Sequence, residues 1–366
     1  MPFKTALRFG PAALTILLVS NSEAAVEIYG RANLALEILD NGDDSGLNVS
    51  SNASRIGFKG ETQIIEGLKG VFQLEQEIRF DNGSGTFATR DTYAGLQGNF
   101  GSVRLGYFDT PLKKIRSETD FFNDQLGDAR NLTRLNNITI VPATAPAVPL
   151  YADFDTRFYN GIIYTTPDLG GFTVDLHHST NNNGATANPP DDLTDATSAG
   201  VTYKAGSLYV SLAHEVDSGR NDSAATRLGA RYTLGDLTLA GLAQQATVNP
   251  IPANLPGPPP VATSGDAIDI RTLGFGASYK LTENTVLKGQ VYNNADARDN
   301  RDARLWAVGM DYSLSKQFRL QFVYAATNND GLANYRASGG GNGDQISPVV
   351  GKDVAGIAAG IRYDFN

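Results

Sequence analysis

The sequence predicts an all-β protein: a transmembrane antiparallel β-barrel of 16 strands, with a long third loop folded into the lumen. Three observations predict it. Long segments alternate apolar and polar residues with a period of two. The connections between these segments alternate in length, short then long. An export leader precedes the first of them.

The leader comes first in the chain. Lys4 and Arg8 form a positive start, Ala12–Val19 is apolar apart from Thr15, and Ser22-Glu23-Ala24 supplies small residues for cleavage. Cutting after Ala24 makes residues 1–24 the signal peptide and 25–366 the barrel domain. What remains has 28 basic and 38 acidic residues, net −10. Such a balance argues against a nucleic-acid partner, which calls for a basic face. No later stretch has the ~18–20 apolar residues of a membrane helix. With no cysteine, stability has to come from strand pairing rather than disulfides.

The first strand, Val26–Leu39, sets the pattern. Val26, Ile28, Leu34, Leu36 and Ile38 share one face, while Glu27, Tyr29, Arg31, Asn33 and Glu37 share the other. Fourteen residues suit a tilted membrane-spanning strand. Arg55–Ile64 repeats the alternation, as do Phe318–Ala326 and the final Gly356–Phe365. Tyrosines and phenylalanines near strand ends, such as Tyr29, Tyr164 and Tyr363, suit the membrane interfaces.

Seven connections are tight, near residues 65–67, 98–101, 167–170, 204–206, 235–236, 282–284 and 315–316. Eight are long, at about 40–52, 81–88, 109–156, 181–197, 217–224, 247–269, 294–303 and 327–352. Fifteen connections join sixteen strands, an even number, with turns at one end and loops at the other. None of the 16 prolines interrupts a proposed strand, where it would cost a ladder bond; six crowd into Pro250–Pro260.

The connection at about 109–156 stands apart. It separates Val103–Phe108 from Phe158–Thr166 and reads as structureless, with Pro142, Pro146 and Pro149 in its second half. A loop of this length is generally functional or disordered. Its first half carries Glu118, Asp120, Asp124 and Asp128, while alternation points Arg31, Arg55 and Arg90 into the lumen from strands one, two and four. The expected constriction therefore sets Arg31, Arg55 and Arg90 against Asp120, Asp124 and Asp128, with Glu118 as a fourth acid. Arg157 is a further pore-lining candidate. A barrel this wide leaves a water channel, so facing walls of charge would act as its filter. The net charge and acidic loops imply mild cation selectivity. Lumen-facing Gly229, Gly309, Gly356 and Gly360 imply an open lumen.

Several stretches resemble the general diffusion porins of Gram-negative bacteria. They are Val26-Glu27-Ile28-Tyr29-Gly30-Arg31, Ser54-Arg55-Ile56-Gly57-Phe58-Lys59-Gly60-Glu61-Thr62, Thr89-Arg90-Asp91-Thr92-Tyr93-Ala94-Gly95-Leu96 and Arg157-Phe158-Tyr159-Asn160-Gly161. The resemblance implies a homotrimeric outer-membrane channel, in contact with lipid and lipopolysaccharide, that passes ions and small hydrophilic solutes. It also implies a basic wall at the positions of Arg31, Arg55 and Arg90 opposite the inward third loop. Subunit contact through the first strands would fit weak outward hydrophobicity around Asp91 and Gln97. That family ends on phenylalanine, whereas here Phe365 is penultimate and Asn366 follows.

Other functions find less support. A solute-specific channel of the same fold would look nearly identical. An enzymatic barrel would need His178 or His214 beside a serine or acid that no motif supplies, and an adhesive barrel would have a closed lumen. His177 and His178 are adjacent on a strand and point to opposite faces, so they cannot chelate together. The glycines at 274 and 276 lack the rest of a nucleotide fingerprint. Asp43-Asp44, Asp191-Asp192 and Asp299–Asp302 read as solvated loop charge. The sequence thus implies no catalytic residues, no cofactor and no metal.

Overall fold

The structure, a computed structural model, describes residues 26–83, 87–135, 153–182, 195–218, 222–249, 267–337 and 346–366, together with the backbone of 139–140 and 148–149. The expected leader, the Pro250–Pro260 tip, Pro142, Pro146 and Asp191-Asp192 lie outside these residues.

Sixteen antiparallel strands follow the chain. They are β1 (Val26–Asp40), β2 (Ser45–Ser51 continuing as Arg55–Ile65), β3 (Leu68–Glu77), β4 (Thr92–Gly98), β5 (Gly101–Asp109), β6 (Arg157–Thr165), β7 (Phe172–Ser179) and β8 (Ala196–Ala205). Then come β9 (Leu208–Asp217), β10 (Ser223–Leu234), β11 (Leu237–Val248), β12 (Ile268–Lys280), β13 (Thr285–Asp296), β14 (Ala303–Ser313), β15 (Phe318–Asn329) and β16 (Val354–Phe365). Each pairs with the next, and β16 pairs back onto β1 from Gly30↔Phe365 to Asp40↔Ala355. The sheet is a closed barrel. Closure leaves no strand edge with unpaired backbone groups, which a bilayer would not tolerate.

At the seam the Phe365 ring covers Gly30, and a Cβ on Gly30 would stand 2.3 Å from the ring. Only a residue without a side chain fits there.

Two expectations about connections need correction. The first long connection is four residues, 41–44, because Ser45–Ser51 already pairs with β1. The strand instead breaks at Asn52-Ala53-Ser54. There the Asn33 amide donates to Ser54 Oγ (2.9 Å) and Asn33 Nδ2 donates to the Asn52 carbonyl (2.8 Å), so side chains replace ladder bonds. The third connection is not structureless. It holds a helix, α1 (Pro111–Thr119), a helical turn, α2 (Arg130–Thr133), and a two-residue ladder pairing Thr139↔Pro149. Thr110 caps α1 by accepting from the Lys113 amide, with Pro111 at the first helical position. Thr-Pro followed by Leu112 and Ile115 is a helix-start signal legible in the sequence.

The two faces of the sheet are inverted relative to a water-soluble protein. Leu36, Ile38, Leu105, Leu176, Leu212, Leu273, Phe275, Val308 and Ile357 are exposed on the outer face. Asn33, Glu37, Gln244, Gln290 and Asn329 are buried on the inner one. An apolar belt of this extent matches a hydrocarbon surround. Replacing Phe275 by Arg is expected to destabilise the barrel by about 2–4 kcal/mol in lipid, while Phe275→Leu has little effect. Urea unfolding in vesicles checks this, and equal midpoints for the two variants would contradict a lipid-facing Phe275.

Candidate functional site: the third loop against the barrel wall

The third loop runs across the polar inner faces of the strands. Leu112 and Ile115 of α1 are fully buried. The wall makes room for them with small residues: a Cβ on Gly229 would lie 2.4 Å from Ile115, and one on Gly200 would lie 3.0 Å from Pro111. Beyond α1, Phe122 and Leu126 pack with Ala35, Leu39, Ala307, Val323, Ala325 and Ala358 of β1 and β14–β16. Gly127 has φ +83°, and a Cβ there would stand 2.6 Å from that of Ala307. Gly309 receives Phe122 in the same way, and Leu126 reaches over Gly356. Gly229, Gly309 and Gly356 were expected to mark open lumen and are instead seats of the loop, whereas Gly360 meets only wall residues.

A buried ionic cluster fixes the loop. Arg116 donates from Nε to Asp155 (3.2 Å) and from Nη1 to Asp128 (2.8 Å), Asn123 (2.7 Å) and Asp120 (3.3 Å). Arg227, on β10 and fully buried, donates to the same Asp155 at 2.9 Å, to the Leu112 carbonyl at 3.1 Å and to Gln244 at 2.8 Å. Thr133 adds a short hydrogen bond to Asp155. Burial raises the Asp155 pKa, but Arg227 and Arg116 overcome it and hold the carboxyl at about 2. Asp128 moves the other way: burial, reinforced by neighbouring Asp120, lifts it well above the ordinary range despite Arg116. Alternation could have aimed Arg227 inward, but nothing local joins it to Asp155.

The expected site residues separate into groups. Asp124 alone among the loop acids meets the basic set, accepting from Arg31 at 3.0 Å and Arg55 at 3.1 Å. It sits at φ +60°, a left-handed conformation that Asp tolerates better than most residues. Burial opposes its ionisation, yet Arg55 and Arg31 hold its pKa at about 2. Arg90 precedes β4 rather than lying on it and pairs with Glu75 at 2.5 Å, and Arg55 reaches Glu75 at 3.6 Å. Asp120 and Asp128 turn away into the Arg116 cluster. Glu118 faces the opposite wall, pairing with Arg231 at 3.0 Å and Lys204 at 3.3 Å. Arg157 is held between Asp91 (2.6 Å) and Asp109 (3.0 Å).

Three residues absent from the expected set join the basic wall. Asp364 accepts from Arg31 at 2.9 Å and from Arg362 at 2.8 Å, and Arg319 approaches it at 3.7 Å. Inward alternation on β16 and β15 was the signal for Arg362, Asp364 and Arg319. Of the histidines, His178 and His214 lie exposed on the outer face, where each contacts a threonine hydroxyl. His177 is buried between the rings of Phe108 and Phe158.

This barrel has known counterparts. The Gram-negative porin family profile matches residues 12–332. The chain belongs to that family. Porins of this kind form channels in the outer membrane, which agrees with the apolar belt. The chain is 31% identical to outer membrane porin protein 32 of Delftia acidovorans over 248 residues, 64% of this chain and 68% of that one. It is 32% identical to a chitoporin of Vibrio furnissii over 179 residues, covering 46% of this porin and 44% of the chitoporin. A major outer membrane protein P.IB of Neisseria meningitidis matches at 25% over 198 residues, 52% of its length. The match thus spans about half the length of the chitoporin and of P.IB. Among solved structures, an anion-selective porin from Comamonas acidovorans superposes with a TM-score of 0.76 at 24% identity, covering 94% of this chain and 100% of that one. That likeness is one of fold.

Asp155→Asn leaves two buried guanidiniums short of their counter-charge and is expected to cost about 3–5 kcal/mol. The sheet can survive this while the loop detaches, so limited proteolysis between 110 and 135 is the measurement, with the intact barrel as its internal control. The depressed pKa of Asp155 and of Asp124 gives a pH dependence. Their contribution is complete above the unfolded carboxylate value and is lost as the pH falls through about 2. The share of loop protection owed to these two carboxylates should therefore decline below about pH 4, while Asp128, with its raised pKa, acts in the opposite sense and weakens the loop as the pH rises above the unfolded carboxylate value.

Proposed function

We propose that this porin is a passive, homotrimeric diffusion channel for ions and small hydrophilic solutes, and that its narrowest part prefers anions. The observation that carries this reading is the salt bridge from loop residue Asp124 to Arg31 and Arg55 on the wall. It sets the loop against the basic wall. Around it stand five arginines (Arg31, Arg55, Arg90, Arg319 and Arg362) and three carboxylates (Glu75, Asp124 and Asp364). The excess is positive. Bulk net charge points toward cations, but a filter responds to the charge at its narrowest ring.

Support for the trimer comes from the outer face of β2–β4. Gly60, Thr62, Gly70 and Ala94 give it a low profile suited to close approach by a second barrel. The residues first invoked for this, Asp91 and Gln97, do not serve it: Asp91 pairs with Arg157, and Gln97 faces an interior recess. An OmpT of Vibrio cholerae, solved in a trimer form, has the same fold at 16% identity, with a TM-score of 0.65.

The test is single-channel current across a planar bilayer under a salt gradient. Expected are conductance steps in threes and a reversal potential of anion-selective sign. Arg31→Gln with Arg55→Gln should abolish or invert that potential, and Asp124→Asn should strengthen it. Folded protein that inserts without passing current would overturn the channel, and a cation-selective sign in the wild type would overturn the preference.

A further inference from the structure

A recess of about 730 Å³ opens inside the barrel on the short-turn side of the Asp124 salt bridge, lined by Lys59, Gln73, Tyr93, Gln97, Arg104 and Thr165 among others. Its acids are largely engaged. Glu27 pairs with Lys59 at 3.0 Å, Glu61 pairs with Lys69 at 2.5 Å, and Asp168 accepts from the Gly171 amide at 2.5 Å. Arg104 differs from the arginines of the constriction. No carboxylate lies within ion-pair distance of it among the described residues, and its one direct hydrogen bond is a long 3.4 Å contact from Nη2 to Thr165 Oγ1.

Cation–π contacts with two rings hold it instead. The guanidinium lies 5.1 Å from the centroid of the Tyr93 ring and 5.6 Å from that of Phe108. Those rings are themselves fixed, edge to face at 5.9 Å, and Phe108 stacks on buried His177 at 4.6 Å. Asp175, on β7 one strand beyond β6, is close enough to feel the Arg104 charge but is occupied by Lys114 at 2.9 Å and by Thr165 at 2.5 Å. The result is a planar cation flanked by two aromatic rings and partly exposed, with no hydrogen bond from Nη1 among the described residues. Arginine in this state suits a carboxylate, which it can bind through its fork of N–H groups at little cost in side-chain entropy.

We infer that the recess beside Arg104 is a binding subsite for small organic carboxylates, placed on the short-turn side of the constriction. This deepens the channel reading and rests on it. An anion drawn past Arg31 and Arg55 would dwell at Arg104 before leaving through the mouth, so the porin would favour carboxylates over inorganic anions of similar size. The Tyr93 ring beside the guanidinium gives an aromatic carboxylate an additional apolar surface.

The experiment uses the full trimer in a planar bilayer, with chloride carrying the current and benzoate or succinate added from either side. Saturable block is expected, at lower concentration for benzoate than for succinate, and with faster onset from the short-turn side. Arg104→Gln should raise the half-blocking concentration at least tenfold while leaving the chloride conductance within twofold. Arg104→Lys, which keeps charge but loses the planar fork, should fall between them and serves if the glutamine variant does not fold. Equal half-blocking concentrations in wild type and either variant would overturn the subsite. So would an open wild-type channel that neither acid blocks, and that result leaves the channel reading intact. A wild type that passes no chloride would overturn the channel reading and the subsite with it.

Discussion

The constraint on which the interior depends is the Asp155 carboxylate, shared between Arg116 of the loop and Arg227 of the wall. All three groups are removed from water. Burying a charge is costly unless it is paired and hydrogen-bonded, and pairing one carboxylate with two guanidiniums compounds the demand. The demand is met by geometry: Asp128, Asp120 and Asn123 serve Arg116, while the Leu112 carbonyl and Gln244 serve Arg227. A cluster of this kind adds less to stability than to uniqueness. Any other path for the loop would strand a buried charge.

Packing reinforces the same path. Seats at Gly229, Gly309 and Gly356 accept Ile115, Phe122 and Leu126, and Gly127 brings the loop backbone against Ala307 and Ala325. The last loop closes over it from the other side. The Gly127 amide donates to the Ala337 carbonyl at 3.0 Å, and the Arg336 amide donates to Asn131 Oδ1 at 3.0 Å. Held on both sides, residues 120–128 are rigid enough to carry Asp124 in a left-handed conformation and present it to Arg31 and Arg55. A charge filter needs this, because a mobile carboxylate would average its field away.

The division of labour among the arginines follows from what surrounds each one. Arg116 and Arg227 are consumed internally, and Arg31, Arg55 and Arg90 are partly offset by acids but keep a water-facing edge. Arg104 is oriented by rings instead of by charge. One residue type thus serves as rivet, filter and docking group according to burial and partner. The bulk charge of −9 for the whole chain predicts none of these roles.

By itself the sequence determined the barrel. Period-two alternation, loop lengths that alternate in size and prolines kept out of strands are local properties, and closure of sixteen such strands follows from the need to satisfy every backbone group in lipid. It also determined the inward aim of Arg31 and Arg55, since side-chain direction on a strand is fixed by parity. The helix in the third loop was written in Thr110-Pro111 and in the spacing of Leu112 and Ile115, a signal masked by the charges around it. Only the tertiary structure decided which acids face which bases. Asp120, Asp124 and Asp128 stand four residues apart in a loop without a fixed period, and their directions depend on a turn at positive φ and on Arg227, about a hundred residues away. Contacts between groups that distant in sequence leave no local pattern, so Glu118 could be placed on the far wall, and Asp364 beside Arg31, only once the barrel had closed.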